Sequence, residues 1–201
     1  MKKARFDPER HYRHSIRLRG RDYTRGGAYF VTMCTYERAC LFGAVIDGEM
    51  HLNEYGEIVL QEWFRTAELR PHVRLDEAEF VVMPNHVHGI IWIIDAEGRQ
   101  NEAEGGVTSD ESPSPGAKRG SIGAIIARFK GASAKRINLR RGTPGASVWQ
   151  RGYYDHVIRN KATLHQIRRY IITNPLRWSH DRENLDRTAL DELEEALFGP
   201  I

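Results

Sequence analysis

Two histidines, a tyrosine and an asparagine carry the chemistry that is legible in this chain. In Val82-Met83-Pro84-Asn85-His86-Val87-His88-Gly89 the histidines stand two apart, where an apolar run continuing to Ile94 begins. Successive side chains of a strand point to opposite faces. His86 and His88 therefore share one face, roughly 6.5–7 Å apart along the strand. Two neutral imidazoles so placed can ligate one metal ion. In residues 164–174, a helical plot at about 100° per residue puts Leu164, Ile167 and Ile171 on an apolar stripe. Gln166, Tyr170 and Asn174 follow one border of that stripe, each four residues from the next, so their side chains are neighbours. A phenol and an amide oxygen then emerge side by side at the seam between helix and sheet. Imidazole nitrogen from His86 and His88, an oxygen from Asn174, waters and a substrate phosphate make a roughly octahedral shell for Mg²⁺ or Mn²⁺, although imidazoles also suit Zn²⁺.

A phosphodiester repels nucleophiles, and its oxygens grow more negative in the transition state. A bound divalent ion counters both effects. Tyrosine, with a pKa of about 10, is a poor nucleophile until cations or a base help remove its proton. What it offers is a covalent phosphotyrosine that stores the diester linkage for a later strand end to reclaim, which suits cutting and rejoining better than hydrolysis. Each residue also has a plainer role when taken alone. His-x-His on a strand can be structural, a helical tyrosine beside an apolar stripe can be packing, and Asn before Pro can simply end a helix. Trp149 and Tyr153 could stack on bases, with core packing the favoured role for each. The conjunction is what points to chemistry.

The elements that must position these groups follow from pattern. Residues 28–35 (AYFVTMCT) have the aromatic and β-branched character of a central strand. Asp47-Gly48 marks a small hairpin or loop within 41–52. Asn53 caps a helix running to Arg70, stopped by Pro71, with Leu60, Trp63, Phe64 and Ala67 facing the sheet. Strands 79–83 and 86–94 join at Pro84-Asn85 as an antiparallel hairpin. Ser121 caps a helix to about Asn138, with Ile122, Ile125, Ile126 and Phe129 on its core side. A short strand at 153–158 precedes a helix from about 162 to 173, ended by Asn174-Pro175. Residues 188–198 form a final, peripheral acidic helix. Few strands, hairpin links and interspersed helices indicate an α+β fold, a mainly antiparallel sheet with helices packed on it.

At 201 residues the chain is expected to form a single domain spanning 1–201. Its net charge of +3 conceals segregated signs. The arm 1–27 is basic. Between 118 and 141 stand Lys118, Arg119, Arg128, Lys130, Lys135, Arg136, Arg140 and Arg141 with no acid among them, while acid gathers in 95–111 and in the extension 179–201. The basic arm and the 118–141 segment are candidates for contact with a polyanion backbone; solvated helix faces are the plainer alternative. Residues 95–120, rich in Gly, Glu, Ser and Pro, predict a disordered surface insertion. Cys34 and Cys40 form no Cys-x-x-Cys metal pair. No signal peptide is legible, and no apolar run is long enough to span a bilayer, so a reduced, cytoplasmic setting away from the membrane is expected.

Taken in order, Tyr29-Phe30-Val31-Thr32, Val82 through Gly89, Val148-Trp149-Gln150 and Tyr170-Ile171-Ile172-Thr173-Asn174-Pro175 resemble the REP-associated tyrosine transposases. These are HUH single-strand transposases with one catalytic tyrosine. The resemblance spans about residues 14–178 and leaves out the insertion and the acidic tail. It implies a ferredoxin-like sheet and an HUH motif with Val87 as its hydrophobic middle residue. It also implies His86 and His88 as metal ligands, Tyr170 as nucleophile and Asn174 as the residue completing the metal site. The activity implied is metal-dependent cleavage of single-stranded DNA at or near a palindromic, REP-like hairpin, through a 5′-phosphotyrosine with release of a 3′-hydroxyl. The acidic extension, a departure from the pattern, could cover part of the DNA path or mediate assembly. Homodimer and monomer both remain open, as does a site completed by the same or a neighbouring subunit. Two other readings stand beside this one: a domesticated hairpin-binding protein without turnover, and a metal-dependent hydrolase of small phosphoesters.

Overall fold

The aromatic and β-branched run at 28–35 forms β1 (Gly27–Cys34), and from it the rest of the sheet is built. The computed structural model describes residues 26–94 and 120–199, so nearly all of the basic arm and of the insertion lies outside the described residues. After β1 come β2 (Gly43–Ile46) and β3 (Glu49–Leu52), a separate two-stranded hairpin. Its turn is Asp47-Gly48, with φ of 51° and 79°, the left-handed pair that a tight two-residue hairpin requires. Asn53 then caps α1 (Glu54–Glu68), its side-chain oxygen accepting from Tyr55 and Gly56 N–H. Next are β4 (Val73–Arg74), β5 (Phe80–Val82) and β6 (His86–Ile93). Past the insertion, α2 (Ile122–Arg140), β7 (Tyr154–Ile158), α3 (Lys161–Thr173) and a short α4 (Glu192–Phe198) complete the order.

The main sheet runs β4-β6-β1-β7, with β5 also paired to β6, and every pairing is antiparallel. This is the mainly antiparallel sheet expected from the sequence pattern, in the ferredoxin-like arrangement that the resemblance implies. β5 and β6 form the expected hairpin, closed where Met83 N–H donates to the His86 carbonyl at 2.8 Å.

Side-chain alternation gives the sheet two unlike faces. Tyr29, Val31, Met33, Val87, Ile91 and Ile93 point one way and pack under α1 and α2, against Val59, Trp63, Ile125, Ile126 and Phe129. Gly89 is on that face for a steric reason. A Cβ there would meet the Trp63 ring at 2.5 Å and Phe80 at 2.9 Å. Ala28, Phe30 and Ile90 point the other way, against Ile167, Tyr170 and Ile171 of α3. The histidines of β6 open on this second face.

Several local expectations shift. Leu60, expected to face the sheet, is exposed, because the buried stripe of α1 runs through Gly56, Val59, Trp63 and Thr66, about 100° away. Residues 77–79 are a 3-10 turn rather than the start of β5, and buried Glu79 binds the Trp92 indole and Arg168. Trp149 is a core residue whose indole donates to Ser133 Oγ at 3.0 Å, and Tyr153 packs against the same cluster. On α2 much of the charge acts within the fold. Arg136 pairs with Glu62 and Arg140 with Glu54, both on α1, while Lys130 donates to the carbonyls of Gln150 and Gly152. No described helix is long and apolar enough to cross a membrane.

Candidate metal and tyrosine centre

The register of β1 on β6 sets the site's foundation. Thr32 lies opposite His88 and Cys34 opposite His86, so the polar end of β1 meets the two histidines. Thr32 Oγ1 is 2.8 Å from His88 Nδ1. On the other ring, His86 Nδ1 is 2.8 Å from Asn85 Oδ1. With both Nδ1 atoms engaged, the Nε2 atoms converge to 3.0 Å. Both rings are buried, and burial holds His86 down at about 4 and lowers His88 as well, against the opposing pull of Asp181. At neutral pH the pair is therefore uncharged and has lone pairs to offer.

α3 brings the phenol. Ile167 and Ile171 fix the helix on the sheet, and Tyr170, three residues past Ile167, follows them into the core. Its ring is fully buried against Phe30 and is flanked by Arg177, whose guanidinium lies 5.0 Å from the ring centre. The hydroxyl is not lost in apolar surroundings. It lies 3.2 Å from His88 Nε2 and donates to Glu194 Oε1 at 3.1 Å. Burial, followed by the charges of Asp181 and Glu194, pushes the phenol well above its ordinary value. Gln166, which shared the border in the helical plot, is exposed and takes no part.

Two groups with no warning in the sequence complete the centre. Asp181, fully buried just past a 3-10 turn (Pro175–His180), sets Oδ2 3.7 Å from His86 Nε2 and 4.0 Å from His88 Nε2. Burial pushes this carboxyl up, yet the two imidazoles and the Asn174 amide outweigh that and hold it below the usual carboxylate range. Glu194 comes from α4, which was expected to be peripheral. It is not, because Leu193, Leu197 and Phe198 pack on the second face of the sheet. Phe198 stacks on Phe30 at 5.0 Å and meets Tyr170 edge-on at 5.5 Å. Burial and the nearby Asp181 push Glu194 up to about 7, against Arg182. Neither acid shares a periodic pattern with the histidines, and the only hint of them was the acidity of the tail.

The donor set fits a cation. The Nε2 separation of 3.0 Å is that of adjacent ligands held about 2.1 Å from one octahedral ion. Asn174 donates through Nδ2 to Asp181 Oδ2 at 2.7 Å, while its Oδ1, fully buried, has no hydrogen-bond partner among the described residues. An orphaned buried carbonyl is costly unless something electropositive faces it. His86, His88 and Asp181 form one group of potential ligands among the described residues. Mixed nitrogen and oxygen donors suit Mg²⁺ or Mn²⁺ as the sequence suggested, and the pair of imidazoles with one carboxylate also suits Zn²⁺. All of these groups belong to one chain.

No family model matches the chain. An uncharacterized protein of Haemophilus influenzae is 39% identical over 176 residues, covering 88% of this chain and 95% of the relative. Among solved structures, a REP-associated tyrosine transposase bound to a REP hairpin superposes with a TM-score of 0.50 at 18% identity. The match covers 81% of this chain and 74% of that one, a likeness of fold. A proposed transposase of Deinococcus radiodurans covers 77% of this chain and 95% of its own at 19% identity, with a TM-score of 0.43.

Proposed function

This chain belongs to one family with the uncharacterized Haemophilus influenzae protein, and we propose that it is a transposase: a metal-dependent single-stranded DNA endonuclease and strand transferase. The proposed target is DNA at or near a palindromic hairpin, by analogy with the REP hairpin bound by its structural neighbour. One observation carries the reading. The Tyr170 hydroxyl lies 3.2 Å from His88 Nε2, so the nucleophile and the histidine pair face one another within a single chain.

In the proposed reaction the Tyr170 oxygen attacks phosphorus. A Tyr–O–P bond forms, the P–O3′ bond breaks, and the phenol's proton ends on the departing 3′-oxygen. The products are a 5′-phosphotyrosine and a free 3′-hydroxyl, and a second 3′-hydroxyl can reverse the step. His86, His88, Asn174 Oδ1 and the Asp181 carboxylate would hold the divalent cation, Mg²⁺ or Mn²⁺. When bound, it supplies positive charge against the phosphoryl oxygens. Arg177 and Arg182 add fixed charge close to the phenol. With α4 docked, Glu194 accepts the phenol's hydrogen bond.

Tyr170 and Asp181 are fully buried. A phosphodiester reaches the phenol once α4, whose Glu194 and Phe198 lie against it, lifts from the sheet while the Asp181 turn stays on the histidines. That closure also favours a second reading, a hairpin-binding protein without turnover. A labelled single-stranded hairpin oligonucleotide decides between the two. Capture as a denaturation-resistant adduct that needs divalent metal and is absent in Tyr170→Phe supports the transferase. Binding without an adduct across metals and hairpins supports the second reading. An undiminished adduct in Tyr170→Phe rejects the tyrosine assignment, and turnover of a small diester in that variant points to a hydrolase.

A further inference from the structure

Asn85 reads in the sequence as half of a turn. In the structure its amide joins three segments. Nδ2 donates to the Arg38 carbonyl at 3.2 Å and to the Glu183 carbonyl at 2.7 Å, while Oδ1 lies 2.8 Å from His86 Nδ1. The first two partners are carbonyl oxygens, which only accept. The NH₂ end must therefore face them, and the orientation of the amide is dictated rather than chosen. Its oxygen is left facing His86 Nδ1, so that nitrogen must carry the proton. A neutral His86 then has its lone pair on Nε2, the atom 3.0 Å from His88 Nε2.

The backbone around Asn85 is over-determined. Its carbonyl accepts from Thr35 N–H at 2.8 Å and from the Thr35 hydroxyl at 3.0 Å. The Arg38 carbonyl it binds belongs to a turn in which Glu37 and Arg38 both hold positive φ, 56° and 53°, a conformation that persists only where neighbours enforce it. Glu183 in turn sits two residues from Asp181 and donates its own N–H to Asp181 Oδ1 at 2.7 Å. One side chain thus sets the ring of a histidine and seats the turn that presents the carboxylate.

We infer that Asn85 is a positioning residue that locks His86 in the Nδ1–H tautomer and, through the same amide, docks the Asp181 turn on the histidine pair. This rests on the proposed metal-dependent reading for its purpose, but its structural content is tested without DNA or activity. Long-range ¹H–¹⁵N correlation spectra of the metal-free protein at neutral pH report which nitrogen of His86 is protonated. Wild type is expected to show Nδ1–H alone. Asn85→Ala is expected to lose that exclusivity and to bind Mn²⁺, followed by calorimetry, about 10–100-fold more weakly. Asn85→Asp keeps an oxygen opposite Nδ1 but loses both donors. It is expected to retain the Nδ1 proton while the amides of 181–184 exchange faster. An Nε2–H tautomer in wild type, or an Asn85→Ala protein with unchanged tautomer and Mn²⁺ affinity, overturns the assignment. Should Asn85→Ala fail to fold, the wild-type tautomer and the Asn85→Asp exchange pattern still decide. Wild type that shows the tautomer but binds no divalent metal refutes the metal reading and leaves the tautomer lock standing.

Discussion

Phe198→Ala is expected to release α4 while leaving the sheet intact. A helix of seven residues cannot hold itself together in water, so α4 exists because it is docked. Its anchors are Phe198, stacked on Phe30 at 11° and edge-on to Tyr154, His156 and Tyr170, with Leu193 and Leu197 beside it. Asp191, capping the helix and paired with Arg177, and Glu194, bound to Tyr170, tie the same element electrostatically. Removing a half-buried phenyl with an aromatic stack forfeits about 2 kcal/mol of docking. Alanine is the better helix former, so the loss falls on docking rather than on the helix itself. Since 1.4 kcal/mol is a factor of ten, the undocked population should rise about 30-fold. Hydrogen exchange reads this directly. Amides of 192–199 should exchange about 30-fold faster while those of β1 and β6 keep their protection, and the initial rate of adduct formation on a hairpin should rise. Unchanged exchange in 192–199 would refute the docking argument, as would loss of protection spread equally over β1 and β6. A falling adduct rate would show that α4 is part of the working site rather than its cover.

Tyr170→Phe should abolish the adduct yet change stability by no more than about 1 kcal/mol in a denaturant titration, because Glu194 keeps the Arg182 N–H and guanidinium. Gly89→Ala should destabilise by about 1–3 kcal/mol, measured the same way, since the new methyl collides with a Trp63 ring stacked on Phe80 at 4.4 Å. The pH dependence has two opposing parts. His86 is held near 4 when folded against 6.5 unfolded, so its contribution, on the order of 3 kcal/mol, is present above 6.5 and lost as pH falls towards 4. Glu194, raised from 4.5 to about 7, works in the other sense, its contribution being lost as pH rises through that window. Glu194→Gln should therefore make stability climb more steeply with pH between 4.5 and 6.5 than in wild type; an equal or shallower slope in thermal melts would contradict the assignment.

Much of the frame was written in short-range spacing. The two-residue step from His86 to His88 put both on one face because a strand has a period of two. The four-residue step from Tyr170 to Asn174 put both on one side of α3 because a helical turn is 3.6 residues. Asn53 and Ser121 capped the helices they precede, and Asp47-Gly48 turned the hairpin, since each acts on backbone groups within three residues of itself. Even Gln166 obeys the helical plot. It stays exposed because a four-residue step runs about 40° past a full turn at 100° per residue, which leaves Gln166 farther round from the buried stripe than Tyr170.

Tertiary structure alone decided what closes the site. Asp181 and Glu194 meet the histidines and the phenol across 24 to 95 residues, carried by an irregular segment and a helix too short to show a period. The same holds for Arg136 and Arg140, basic in composition yet spent on acids of α1 that no local pattern pairs with them. Spacing along a chain fixes which side of an element a residue occupies, because backbone geometry is local. Which distant segment comes to lie on that side is set by the packing of apolar surfaces such as Phe198 on Phe30, and the polar groups riding on those segments arrive with them.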